Sequence, residues 1–211
     1  KLIDNKRLVA EKTTTAYQQE FRNLFMALNN NPDYNEWMEL YKKLVYWELE
    51  MKKSDSPELQ EVFQTQKQEA NTEFFKFISK NYASWVAPKS VDGPIMSNSL
   101  LKYKVLPHLE KGTPLFFVLI ENLRFDQWKA IQHIFAESFR ILDEDTFYAI
   151  LPTATQYARN AIFAGMLPID IEKNFSNQWK NDDEEGGKNL HEEEFLKEQL
   201  KRNRLGDIKF S

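Results

Sequence analysis

The chain has 211 residues, 42% hydrophobic, 14% aromatic and 28% charged, which predicts a folded, soluble protein of one or two domains and excludes a disordered one. A formal net charge of -4 excludes a general attraction to nucleic-acid backbone or anionic membrane and leaves only a local basic cleft open to either. Disulfides and thiolate metal sites are excluded because there is no cysteine. No apolar stretch is long enough to span a bilayer and KLIDNKRLV has no signal-peptide pattern, so the expected location is cytoplasmic.

In chain order, Tyr17, Phe21, Leu24, Phe25 and Leu28 form an apolar stripe of helical period, predicting a helix from about Asp4 to Leu28. Three asparagines and Pro32 end it. Asp33 and Glu36 have the spacing of a capping box, and Trp37, Tyr41, Leu44 and Val45 continue as a second stripe. Ser56 before Pro57 is a cap followed by a first-turn proline, and it opens a third stripe through Leu59, Val62, Phe63, Gln66, Ala70, Phe74, Phe77 and Ile78. Short links make the three helices antiparallel neighbours, so residues 1–84 are expected to form a three-helix bundle. Residues 85–98, with Pro88, Gly93 and Pro94, are expected to be a linker. Ser99 to Leu109 then predicts a helix disturbed near its end by Pro107.

The second part is organised by two apolar runs, LFFVLIEN (Leu115 to Asn122) and the start of FYAILPTATQYARNAIFAG (Phe147 to Gly165). Runs rich in aromatic and β-branched residues and joined by a helical pattern predict parallel strands buried on both faces. The joining helix is expected from about Arg124 to Phe139, with Trp128, Ile131, Phe135 and Phe139 on one face. Together they would make a βαβ unit, and the fold class is α/β with an all-α N-terminal part. Beyond Gly165, Ile169 to Trp179 reads as a short helix or loop, Asn181 to Gly187 as a mobile polar loop and His191 to Arg204 as a surface helix, with another strand starting near Asp207.

Function in a βαβ unit collects beyond the carboxyl ends of its strands, and Glu121 and Thr155 fall at that edge. A hydroxyl at Thr155 could attack phosphorus at a helix N-terminus, or Thr153 and Thr155 could be helix caps. A carboxylate ending a buried strand needs a metal ion or a cation, and Arg124 is the ordinary partner for Glu121. Arg124 and Asp126 also fit a surface ion pair. Arg159, one turn beyond Thr155, could contact a phosphate or form a structural salt bridge. His191 begins HEEEF, which lacks the second histidine of HExxH, and His108 and His133 are expected on the surface or in packing. Neither GxGxxG nor GxxxxGK[ST] occurs.

The segments IENLRFDQW (Ile120 to Trp128) and LPTATQYARNAIFAGMLP (Leu151 to Pro168) resemble the PglZ domain, a branch of the alkaline phosphatase superfamily. The chain also resembles the PorX-type response regulators of type IX secretion in Bacteroidetes, which carry a PglZ output domain. The resemblance implies a three-helix bundle followed by a partial, mostly parallel sheet of alkaline-phosphatase-like type over residues 99–211. It further implies a zinc-dependent phosphodiesterase acting on cyclic and linear oligonucleotides. Thr155 would be the nucleophile, Glu121 and Thr155 metal ligands, and Arg159 a phosphate contact. Glu121 departs from the Asp usual in the first motif.

The family binds two zinc ions through downstream Asp and His ligands, and nothing from Met166 to Ser211 matches those motifs. The expectation is therefore a fragment, itself inactive, of a protein with a receiver domain, partnered by a sensor histidine kinase and by a sigma factor or secretion components. An uncovered sheet edge would make the chain self-associate. The alternative is a non-catalytic interaction module on a degenerate phosphatase fold. If residues 85–98 are a linker, limited proteolysis followed by mass spectrometry should cut there or within Asn181 to Lys188 before it cuts the bundle, and first cleavage between Tyr34 and Met51 would contradict that boundary.

Overall fold

The computed structural model describes residues 2–53, 56–87, 92–109, 114–181 and 183–210, with side chains from residue 15 onward. Its helices in chain order are α1 (Leu2–Leu28), α2 (Tyr34–Lys52), α3 (Pro57–Trp85), α4 (Leu106–Leu109), α5 (Phe125–Ala136), α6 (Thr155–Ala164), α7 (Pro168–Asn174) and α8 (Glu192–Arg202). They fall into two compact units: Lys1–Gly93 with Leu119–Glu144, and Pro94–Val118 with Asp145–Ser211. No helix is long and apolar enough to cross a membrane among the described residues.

In the first unit the expected capping signals are made. The Asp33 carboxylate accepts from the amides of Asn35 (2.8 Å) and Glu36 (2.9 Å), and Glu36 accepts from the Asp33 amide at 2.8 Å. Ser56 Oγ caps Leu59 at 3.4 Å, with Pro57 in the first turn of α3. The core joins Tyr17, Leu24 and Leu28 of α1 to Trp37, Leu40, Trp47 and Met51 of α2 and Phe63 and Ala70 of α3. Some stripe residues face outward: Phe25 is 51% and Tyr41 44% exposed. Each stripe is wider than the two-neighbour seam it meets, so its flank stays in water.

One polar pair lies inside this core. Gln66 of α3 is buried, accepts from the Tyr17 hydroxyl at 3.1 Å and donates to the Phe21 carbonyl at 3.0 Å, tying α3 to α1. Burial pushes the Tyr17 pKa from 10.0 up to about 12.

Helix α5 packs on α2 in this unit, where Phe125 meets the Tyr41 ring at 5.8 Å. It is held at its other side by Glu144, which accepts from Trp128 Nε1 at 2.7 Å and from Lys129 Nζ at 3.1 Å. No residue of α5 is buried. The expected apolar crossover is thus a half-covered helix, shorter than predicted by three residues at its end.

The expected parallel sheet is not formed among the described residues. Leu115 to Asn122 is irregular and exposed, with Phe116 at 94% and Val118 at 75%. A strand, unlike a helix, cannot satisfy its own backbone; it needs a neighbouring ladder, and no described segment supplies one here. Among the described residues one parallel bridge forms, Met96 with Tyr148. It is closed by Ser97 N to Tyr148 O (3.1 Å) and Tyr148 N to Ile95 O (3.0 Å), and buried Ser97 Oγ accepts from Ile150 N at 3.1 Å. The strand expected near Asp207 is irregular backbone too.

The remaining second-unit elements follow the expected order with changed boundaries. Ser97–Ser99 is a 3-10 turn and Leu101–Val105 a π-helical turn leading into α4. Pro107 has no N–H to close an α turn, and the backbone before it widens, with Leu106 N bonding back to Leu101 O. The linker 85–98 lies in part outside the described residues. Helices α6, α7 and α8 enclose a core of Ala164, Ile171, Trp179 and Phe195. The loop Asn181 to Gly187 is closed by Asn181 N to Glu184 Oε1 (2.7 Å) and by Lys188 Nζ donating to the Asn181 and Glu184 carbonyls.

Replacing Tyr17 by Phe leaves the buried Gln66 Oε1 without its donor and should cost about 1–3 kcal/mol near neutral pH. The folded Tyr17 pKa is raised, so the wild type keeps its full stability below pH 10 and loses it as pH rises toward 12. The gap between wild type and Tyr17→Phe in urea denaturation should therefore shrink from pH 8 to pH 11.5; a constant gap would show that this hydroxyl does not titrate in the core.

Candidate functional site

The expected site residues are split between the units. Glu121 belongs to the first, while Thr155 and Arg159 share α6 in the second. Neither unit holds all three.

Glu121 sits in a tight turn with Asn122, whose φ of 58 puts it in the left-handed region that asparagine tolerates. The turn borders a shallow depression of about 500 Å³ lined by Ile120, Leu123, Gln127, Ala130 and Ile131. Glu121 is exposed, so the expected desolvation cost of a strand-end carboxylate is not present. Arg124, its proposed ordinary partner, instead pairs bidentately with Asp126 at 2.9 and 3.0 Å. Hydrogen bonding to Arg124 holds the Asp126 carboxyl below its usual range.

Thr155 is the first residue of α6, and its side chain is partly covered. The N-cap place is taken by Ala154, which makes no side-chain cap bond. Neither Thr153 nor Thr155 is therefore at the N-cap position. The helix start carries a hydroxyl beside backbone N–H groups and the positive end of the helix dipole, a setting that favours a phosphate. Arg159, one turn on, forms the salt bridge to Glu192 of α8, with Nη2 at 2.5 Å from Oε2.

Residues that the sequence did not single out hold α6 in place. Buried Asn160 donates to the Lys188 carbonyl at 3.0 Å, and Asn189 Nδ2 donates to Asn160 Oδ1 at 2.9 Å and to the Thr155 carbonyl at 3.5 Å. At the other end, Gly165 turns the chain with φ 60, and Arg202 donates to the Ala164 carbonyl. Burial lowers the Arg202 pKa. Gln199, also buried, donates its amide nitrogen to the carbonyls of Ile162 (3.2 Å) and Phe163 (2.8 Å) in the orientation that satisfies both. A sequence signal that could have found this closure is Asn160, a polar residue among Tyr157, Phe163 and Ala164.

His191 Nδ1 lies 2.8 Å from Glu194 within its own helix turn. Among the described residues no group of three His, Asp or Glu could hold a metal ion.

With this geometry in hand, comparison with protein families gives two matches. Residues 7–86 match the PorX response regulator linker domain, and residues 100–209 match the BREX system PglZ alkaline phosphatase-like domain. The chain belongs to the PglZ family. Its bundle and PglZ region together match a PorX-type response regulator. No curated protein matches the chain. The PglZ match covers Thr155, Arg159 and Glu192, and also Glu121 and α5.

Gly165 is the residue on which the end of α6 turns. A Cβ there would lie 2.3 Å from the end of the Gln199 side-chain amide, in a backbone conformation that L-residues avoid. Gly165→Ala should destabilise the chain by about 2 kcal/mol or more in chemical denaturation; a loss below about 0.5 kcal/mol would show that the turn and Gln199 are not coupled.

Proposed function

We propose that this chain is the linker bundle and part of the PglZ output domain of a response regulator whose catalytic activity is zinc-dependent phosphodiester hydrolysis of cyclic and linear oligonucleotides. Receiver phosphorylation by a sensor histidine kinase would control it, and its output would act on type IX secretion through a sigma factor or secretion components. The observation that carries this reading is Thr155 at the first position of α6, behind an N-cap without a side-chain acceptor, within the PglZ match.

In this reading Thr155 is the nucleophile, Arg159 binds a non-bridging phosphate oxygen, and Glu121 is a metal ligand. Attack by the Thr155 hydroxyl on phosphorus needs its proton removed and the leaving oxygen stabilised, which is the chemistry a bound zinc pair supplies. A catalytic zinc takes three protein ligands, and the donors described here do not reach that number, so the zinc pair does not fit this chain by itself.

The absence of a ligand cluster among the described residues favours a second reading, a non-catalytic interaction module on a phosphatase-like fold. Two measurements on the intact protein separate them. Thr155→Ala should abolish hydrolysis of bis(4-nitrophenyl) phosphate, and metal analysis should find stoichiometric zinc. A variant as fast as wild type removes Thr155 from the mechanism, and a metal-free protein supports the interaction module.

A further inference from the structure

The segment from Lys188 to Glu192 crosses the first turns of α6 and is fastened to it at three places. The Lys188 carbonyl accepts from Asn160, Asn189 donates to the Asn160 side chain and to the Thr155 carbonyl, and Glu192 pairs with Arg159. Its base is fixed independently, since Lys188 Nζ also donates into the Asn181 to Glu185 turn. Thr155, Arg159 and Asn160, on two successive turns of the helix, are thus all addressed by one strap.

We propose that this strap is the positioning element of the α6 site, with Glu192 the positioning residue for Arg159; the inference rests on the reading of Thr155 and Arg159 given above. An arginine side chain loses much rotamer freedom when it binds a phosphate, and a partner that fixes the guanidinium beforehand removes that cost from substrate binding. Glu192 is suited to this because it is itself partly buried, with its side chain 17% exposed against 29% for Arg159. A pair sheltered in this way keeps one geometry better than a surface pair does. Asn189 acts one level down: by bonding the Thr155 carbonyl and Asn160 together it sets the first turn against the strap. Glu192 touches no substrate in this arrangement and acts only through Arg159.

The test is a double-mutant cycle in the intact protein with bis(4-nitrophenyl) phosphate as the probe. Glu192→Gln should raise KM about tenfold and change kcat less than about threefold, the pattern of a lost uniform binding contact. Glu192→Asp, which keeps the charge at shorter reach, should recover part of the loss. In an Arg159→Ala background, Glu192→Gln should have no further effect on KM. Additive effects in the cycle would show that Glu192 does not act through Arg159, and a fall in kcat alone accompanied by a lower melting temperature would reduce Glu192 to a structural ion pair; either result overturns the inference. Should Glu192→Gln fail to fold, the comparison of Glu192→Asp with and without Arg159→Ala decides in the same way. A Thr155→Ala protein that stays active would overturn the reading of the site itself, a failure that leaves a different signature from additivity in the cycle.

Discussion

Helix α6 has ten residues, too few to hold itself in water, where helices shorter than about 12 residues are marginal. It persists because one stretch of chain, Lys188 to Arg202, closes its polar groups at both ends and supplies its apolar partners between. Asn189 and the Lys188 carbonyl meet its first turns, Gln199 and Arg202 meet its last carbonyls, and Phe195 packs beside Ala164 and Ile171. Backbone groups at helix ends are costly to bury unpaired, so this closure is what allows Ala161 and Ala164 to be fully buried. The placement of Thr155 and Arg159 is a consequence of it.

The bundle solves its assembly by different means. Its helices are long, carry their own caps at Asp33 and Ser56, and share an aromatic core in which the Tyr17 ring lies 5.2 Å from Trp47 and 5.9 Å from Phe63. Gln66 adds direction to an interior that hydrophobic contact alone would leave free to slide, because its two hydrogen bonds are satisfied in one register of α1 and α3.

The run from Leu115 to Ile120 is apolar and exposed. Its side chains suit a buried central strand, and in the second unit Leu115, Phe116 and Phe117 instead line an apolar hollow of about 540 Å³ with Leu101, Phe163 and Leu200. Propensity and hydrophobicity mark this run as a strand, yet a strand exists only as a pair. Among the described residues, strand pairing reaches no further than Met96 and Tyr148.

What the amino-acid sequence determined by itself is what local interactions decide. The stripes of α1 to α3, the Asp33 and Glu36 box, the Ser56 and Pro57 start, the Arg124 and Asp126 pair and the helix beginning at Thr155 all depend on residues within a turn or two of each other, and they were legible. The motif around Thr155 also carried the family, confirmed by the PglZ match. Only the tertiary structure decided what depends on residues far apart: that Glu121 is exposed, that α5 lies on α2, and that Glu192, 33 residues away, holds Arg159. A carboxylate's partner, a strand's ladder and a buried asparagine's hydrogen bonds are set by which segments meet, and spacing along the chain does not encode that meeting.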